Sequence, residues 1–169
     1  LRGNHEDMML QFLDNPSANL AWLSFGGEET LRSYGLSPDS DKGFAADGKL
    51  LNRKLQLAIP KEHREFLGAL PCGLECGHLR FAHAGYDLSL PADRQSARRL
   101  LWGPPDGDGS KAEGPVLVHG HVIVPKVEVS GTRINLDVGA YESGRLAAMR
   151  FLPFNPDERI LYSGCAAGR

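Results

Sequence analysis

The sequence has few cysteines, no long apolar run and little net charge. Its three cysteines are Cys72, Cys76 and Cys165, and this odd, scattered set argues against a disulfide framework. No segment approaches the roughly 18 to 20 apolar residues that a membrane span needs, and the first residues do not form a signal peptide. The formal net charge of -2 at pH 7 gives no bulk reason to bind a polyanion. We therefore expect a cytoplasmic protein whose partners include neither nucleic acid nor membrane.

The chain also lacks an initiator methionine and begins inside a motif, Arg2-Gly3-Asn4-His5-Glu6. Its 169 residues, of which 41% are hydrophobic, can bury the core of one domain. We therefore expect residues 1–169 to be a single domain that is truncated at its N-terminus.

Apolar spacing predicts helices mainly in the first half of the chain and strands mainly in the second. The Ser-, Asp- and Gly-rich stretch at 37–49 is typical of an exposed loop. We predict helices at residues 6–14, 28–34, 61–67 and 92–101, and strands at 79–83, 116–118, 127–129, 134–138, 146–151 and 160–162.

Three well separated segments place a histidine close to glycine. These are His5 after Gly3-Asn4, His83 before Ala84-Gly85, and His121 after Gly120. A divalent transition metal binds neutral imidazole and the amide oxygen of asparagine, and small neighbours let an anion approach the backbone. We expect Asn4, His83 and His121 to bind one metal ion, which leaves His5 free to act on a substrate.

Six motifs in order carry a resemblance to a known family: Arg-Gly-Asn-His-Glu, Gly-Gly-x-x-Thr, His-Ala-Gly, Leu-Leu-Trp, His-Gly-His-Val and Asp-Val-Gly-Ala-Tyr. Together they resemble the bacterial branch of the phosphoprotein phosphatases, which are calcineurin-like metallophosphoesterases. The resemblance implies an α/β (α+β) fold with two mixed β-sheets sandwiched between helices. It also implies hydrolysis of phosphate monoesters by a hydroxide that bridges two divalent metal ions, about 3.5 to 4 Å apart.

The resemblance gives each site residue a role. Asn4, His83 and His121 match metal ligands, with Mn²⁺ as the first choice of ion and Fe or Zn as alternatives. His5 matches the general acid that protonates the leaving alkoxide, a step that typically contributes 10²- to 10⁴-fold. Arg2 and Tyr141 match substrate-binding positions. His119 matches no ligand and is expected either to hold a neighbouring ligand in place or to be structural.

The sequence departs from the family pattern in three places. The first two motifs of the family, Asp-x-His-Gly and Gly-Asp-x-x-Asp-Arg-Gly, are absent, which implies that an N-terminal βαβ portion with ligands of the first metal is missing. The arginine expected two residues after Trp102 is replaced, because Gly103-Pro104 follows. The usual Asp-Thr-Gly is Asp137-Val138-Gly139. We expect this chain by itself to be inactive.

Three functions therefore stand as alternatives. The first is a serine/threonine phosphoprotein phosphatase acting on phosphoproteins or small phosphoesters, which Glu6 modestly favours. The second is a symmetrical dinucleoside polyphosphate hydrolase, acting on diadenosine tetraphosphate, which would need a pocket for adenine. The third is a degenerate, non-catalytic binding module that keeps the fold.

Loss of the first strands would also expose a sheet edge, which predicts self-association.

Overall fold

The computed structural model describes residues 1–37, 48–104, 114–152 and 155–163. The chain divides into two compact units, a helical unit formed by Arg2–Pro71 and a sheet unit formed by Leu1 together with Cys72–Arg169. Each unit is described by itself. The expectation of one domain over residues 1–169 stays a prediction.

In its described residues, the helical unit contains four α-helices around a mainly aliphatic core. These are α1 (Asn4–Asp14), α2 (Gly27–Ser33), α3 (Gly48–Ala58) and α4 (Lys61–Ala69), with 3₁₀ turns at Pro16–Ala18 and Leu20–Phe25. Phe12 and Trp22 pack with ring centroids 4.9 Å apart. Burial of a side chain such as Phe12 stabilises a fold by about 1.5 to 3 kcal/mol. The core also contains Met9, Leu13, Leu31, Leu51, Leu55 and Ile59.

The helices at 6–14, 28–34 and 61–67 are confirmed, with small differences at their ends. Helix α1 begins two residues before the predicted start because the Glu6 carboxylate accepts a hydrogen bond from the Gly3 N–H at 2.7 Å, which satisfies a free donor at the helix start. Helix α3 was not predicted from the sequence. Gly48 and Lys49 of the predicted loop begin this helix, and residues 38–47 lie outside the described residues.

The sheet unit contains a mixed five-stranded sheet with the order β1-β2-β3-β5-β4. Strands β2, β3 and β5 are parallel, whereas β1 and β4 pair antiparallel at the two edges. Strands β6 and β7 form a separate antiparallel pair. The strand bounds are β1 Gly73–Cys76, β2 Leu79–Ala82, β3 Val116–His119, β4 Glu128–Ser130, β5 Arg133–Asn135, β6 Ala147–Leu152 and β7 Asn155–Tyr162.

Both faces of the five-stranded sheet are covered. On one face, Val118 and Ile134 pack with Met149 and Phe151 of β6. On the other face, Leu117 packs with Leu100 of helix α5 (Ala97–Trp102). The fold is therefore mixed α/β, as expected. Among the described residues only the larger sheet is mixed, because the second one is a two-stranded antiparallel hairpin.

Every predicted strand has a counterpart, but the predicted helix at 92–101 is wrong in its middle. A 3₁₀ turn at Ala92–Arg94 is followed by a separate helix, α5. The break occurs because the Ser96 hydroxyl accepts a hydrogen bond from the Arg99 N–H at 3.2 Å, as the N-cap residue of α5. The Gln95 side chain meanwhile bonds to the Asp87 backbone. Strand β1 and the short helix α6 (Ala140–Ser143) were not predicted from the sequence.

Candidate functional site

The two strand-end histidines of the sheet unit lie next to each other. His83 follows the last residue of β2, and His121 follows β3 after one residue. Because β2 and β3 are neighbouring parallel strands, their carboxyl ends meet at one edge of the sheet. The Nε2 atom of His83 lies 3.1 Å from the Nδ1 atom of His121. The structure therefore brings together two of the three residues that the sequence predicts as metal ligands.

The distance between His83 Nε2 and His121 Nδ1 is consistent with two chemical states of the histidine pair. Without a cation, 3.1 Å is a normal distance for an N–H group of one ring to donate to the other ring. With metal–nitrogen bonds of about 2.0 to 2.1 Å, two neighbouring ligands of one ion stand about 2.9 to 3.4 Å apart. The 3.1 Å spacing of the two nitrogens is therefore compatible with two ligands of one divalent cation.

His121 lies at the centre of a strained turn. Its φ is 66°, in the left-handed region that costs a non-glycine residue about 1 to 3 kcal/mol. The Val122 N–H donates to the Gly120 carbonyl at 2.8 Å, which makes residues 120–122 a γ-turn of the rare positive-φ kind. The Gly120 N–H in turn donates to the His83 carbonyl at 2.9 Å. The γ-turn is thus held to His83 by a backbone hydrogen bond from Gly120 as well as by the contact between the two rings.

Trp102 and Gly85 form the surroundings of the histidine pair. The Trp102 ring meets the His121 ring edge-on, with centroids 5.9 Å apart, and its side chain remains 44% exposed. A Cβ atom at Gly85 would lie 2.5 Å from the Pro104 carbonyl oxygen. The His-Ala-Gly segment therefore needs glycine for close backbone packing against the end of α5, where Trp102 lies.

His119, the first histidine of the His-Gly-His motif, is buried. Its side chain is 4% exposed, its Nδ1 lies 2.9 Å from the Gly120 carbonyl oxygen, and its Nε2 has no hydrogen-bond partner in the described part of the chain. Desolvation by burial holds the pKa of His119 below its ordinary value, which favours the neutral imidazole. That state suits the structural role expected for it.

The remaining predicted site residues belong to other segments of the chain. Arg2, Asn4 and His5 belong to the helical unit, so the pairing of Asn4 with the two histidines stays a prediction. The Asn4 side chain is buried, and its Oδ1 accepts no hydrogen bond from the described residues. His5 is exposed. The Arg2 guanidinium donates to the Gly68 carbonyl at 2.5 Å and lies 3.7 Å from the Asp7 carboxylate. Tyr141, on α6, is 85% exposed.

The histidine pair supplies two ligands rather than a full set. Over residues 1–37, 48–104, 114–152 and 155–163, no group of three or more His, Cys, Asp or Glu side chains could hold a metal ion. In the same ranges, every helix is too short or too polar to cross a membrane. No protein-family model matches the chain, and no curated protein matches it. The function is therefore inferred from the residues and their geometry.

Proposed function

We propose that the protein hydrolyses phosphate monoesters with the help of divalent metal ions, as a serine/threonine phosphoprotein phosphatase. The observation that carries this proposal is the 3.1 Å approach of His83 Nε2 to His121 Nδ1 at the ends of two parallel strands. Its fold would be the family's sandwich of two mixed sheets between helices. The five-stranded mixed sheet with a hairpin on one face is compatible with that arrangement.

The residues present fit a divalent transition metal. His83 and His121 would bind it through their facing nitrogens, and Asn4 offers a buried amide oxygen that accepts no hydrogen bond from the described residues. Two nitrogens and one amide oxygen suit Mn²⁺, Fe or Zn. A bound pair of such ions would neutralise the phosphoryl oxygens and activate water for in-line attack.

Residues of this chain would donate a proton to the leaving group and position the substrate. His5 is exposed, so its imidazole can reach solvent and donate a proton to the leaving alkoxide. Arg2 is already fixed by Gly68 and Asp7, which would hold its guanidinium in place for a phosphoryl oxygen. Tyr141 is exposed and free to contact the group that carries the phosphate.

A second substrate is favoured by one observation. The half-exposed Trp102 ring lies beside His121, and an indole face can stack on adenine. This would suit a symmetrical dinucleoside polyphosphate hydrolase. Hydrolysis rates on diadenosine tetraphosphate and on a phosphoserine peptide separate the two substrates. Trp102→Ala should lower the first rate more than the second, because only the first reaction would use adenine stacking.

Hydrolysis of p-nitrophenyl phosphate with Mn²⁺, by the protein that carries this sequence, tests the proposal. We expect His121→Ala and His5→Asn each to lower the rate by about 10² or more. His63→Asn is the matched control, since His63 is an exposed histidine that contacts Tyr34 in the helical unit. Metal-independent hydrolysis, or equal rates for His5→Asn and wild type, would contradict the proposal. Absence of both Mn²⁺ binding and hydrolysis would also contradict it and would leave the non-catalytic binding module as the remaining alternative.

A further inference from the structure

The strained turn at residues 120–122 is attached to the end of strand β5 by a buried asparagine. Asn135 is the last residue of β5 and pairs with His119 across the sheet. Its side chain is only 4% exposed. The Nδ2 atom of Asn135 donates to the Val122 carbonyl at 2.8 Å. This bond reaches the residue that directly follows His121.

The same side chain also fixes the segment after β5. Its Oδ1 accepts a hydrogen bond from the Asp137 N–H at 3.0 Å, and the Asp137 carbonyl accepts one from the Val124 N–H at 2.9 Å. Asn135 thus uses both ends of its amide, one to donate and one to accept. A carboxylate of the same shape could only accept, and an aliphatic side chain could do neither.

A positive φ at a non-glycine residue persists only where its surroundings hold it. At His121 the backbone is held on one side by the bond from Gly120 to His83 and on the other by the bond from Asn135 to Val122. Release of either end would let His121 relax towards negative φ. That rotation would swing its imidazole away from His83.

We propose that Asn135 is a positioning residue that holds the γ-turn at His121, and so sets the 3.1 Å spacing of the two imidazoles. Where that spacing serves metal binding, the inference rests on the proposed function. Groups that orient metal ligands typically contribute 10- to 100-fold to metal affinity, and we expect a loss in that range when Asn135 no longer donates.

The experiment compares Asn135→Asp and Asn135→Leu with wild type in the full chain. Asn135→Asp keeps the shape and the acceptor for Asp137 but places an oxygen against the Val122 carbonyl. Ile134→Ala is the matched control, because Ile134 precedes Asn135 and packs into the core on the other face of β5. Ile134→Ala should lower the free energy of unfolding without changing the hydrogen bonds that hold the γ-turn. Two readouts are used: Co²⁺ affinity from visible absorption, and NMR of the turn.

We expect both Asn135 variants to lose the nuclear Overhauser contact between the His83 and His121 rings, to exchange the Val122 amide faster, and to bind Co²⁺ 10- to 100-fold more weakly. Ile134→Ala should keep the ring contact and the affinity. If Asn135→Asp keeps both turn signals and wild-type affinity, the inference is overturned while the proposed function stands. If wild type binds no Co²⁺, the proposed function fails, and the two turn signals still decide the role of Asn135.

Discussion

Replacement of Gly85 by alanine tests how tightly the loop after β2 packs against the end of α5. A Cβ atom there would lie 2.5 Å from the Pro104 carbonyl oxygen and 2.8 Å from that of Gly103. Ordinary contacts begin near 3.4 Å, so the closer contact is about 0.9 Å too short. Both atoms belong to the backbone and cannot rotate away. Overpacking of this kind typically costs about 1 to 3 kcal/mol.

One effect opposes this cost. The φ of Gly85 is not positive, so alanine can adopt the backbone conformation at this position. Because alanine has less conformational entropy than glycine in the unfolded chain, the substitution also stabilises the folded state by about 0.4 to 1 kcal/mol. The steric effect should win, with a net loss of about 1 to 2 kcal/mol. For a chain of this size, that loss lowers the melting temperature by about 2 to 8 °C. Thermal unfolding followed by circular dichroism measures it.

Gly68→Ala provides the matched control. Gly68 lies inside α4, and a Cβ atom there would meet nothing within 4 Å. The same substitution should therefore stabilise the protein by about 0.5 to 1 kcal/mol through helix propensity. If Gly85→Ala unfolds at or above the wild-type temperature, the close packing of this loop is refuted. If both variants are destabilised equally, the loss at Gly85 is not specific to its contacts.

Two further predictions concern Tyr86 and Ser96. Tyr86 is buried and donates to the Glu75 carboxylate at 2.5 Å, and burial raises its pKa from 10.0 to about 12. Between pH 10 and pH 12 the Tyr86 hydroxyl therefore stays protonated in the folded state but loses its proton in the unfolded state. Its contribution to the free energy of unfolding is complete below pH 10 and declines as the pH rises towards 12. Urea unfolding across that window should show the decline in wild type and a smaller one in Tyr86→Phe; identical pH profiles would contradict the assignment. Ser96→Ala should cost about 1 kcal/mol by removing the N-cap of α5, measured by urea unfolding. Ser17→Ala is the control and should change little, because Ser17 is an exposed residue of the helical unit.

The placement of His83 and His121 at strand ends was predictable from local pattern, because residues 79–83 and 116–118 have strand character. That the two strands are parallel neighbours, so that both ends meet at one edge of the sheet, was known only from the structure. Helix α3 was missed although Leu51 and Leu55 share a helical face, because a loop-like stretch directly precedes them. The break before Ser96 depends on side-chain hydrogen bonds that helix periodicity does not reveal.

The role inferred for Asn135 had no signal in the sequence. An asparagine at a strand end is ordinary, and its partner Val122 is 13 positions away in a turn whose shape no residue pattern predicts. The burial of Asn4 likewise follows from packing rather than from its motif.

The sequence by itself determined the chemistry available to this protein and the local periodicity of its elements. The order of its polar motifs and the apolar spacing of its helices and strands are properties of neighbouring residues. Tertiary structure alone decided the 3.1 Å spacing of His83 and His121, the positive φ of His121 and the lowered pKa of His119. The physical reason is that these properties depend on strand register, backbone hydrogen bonds and desolvation between residues that are distant in the chain.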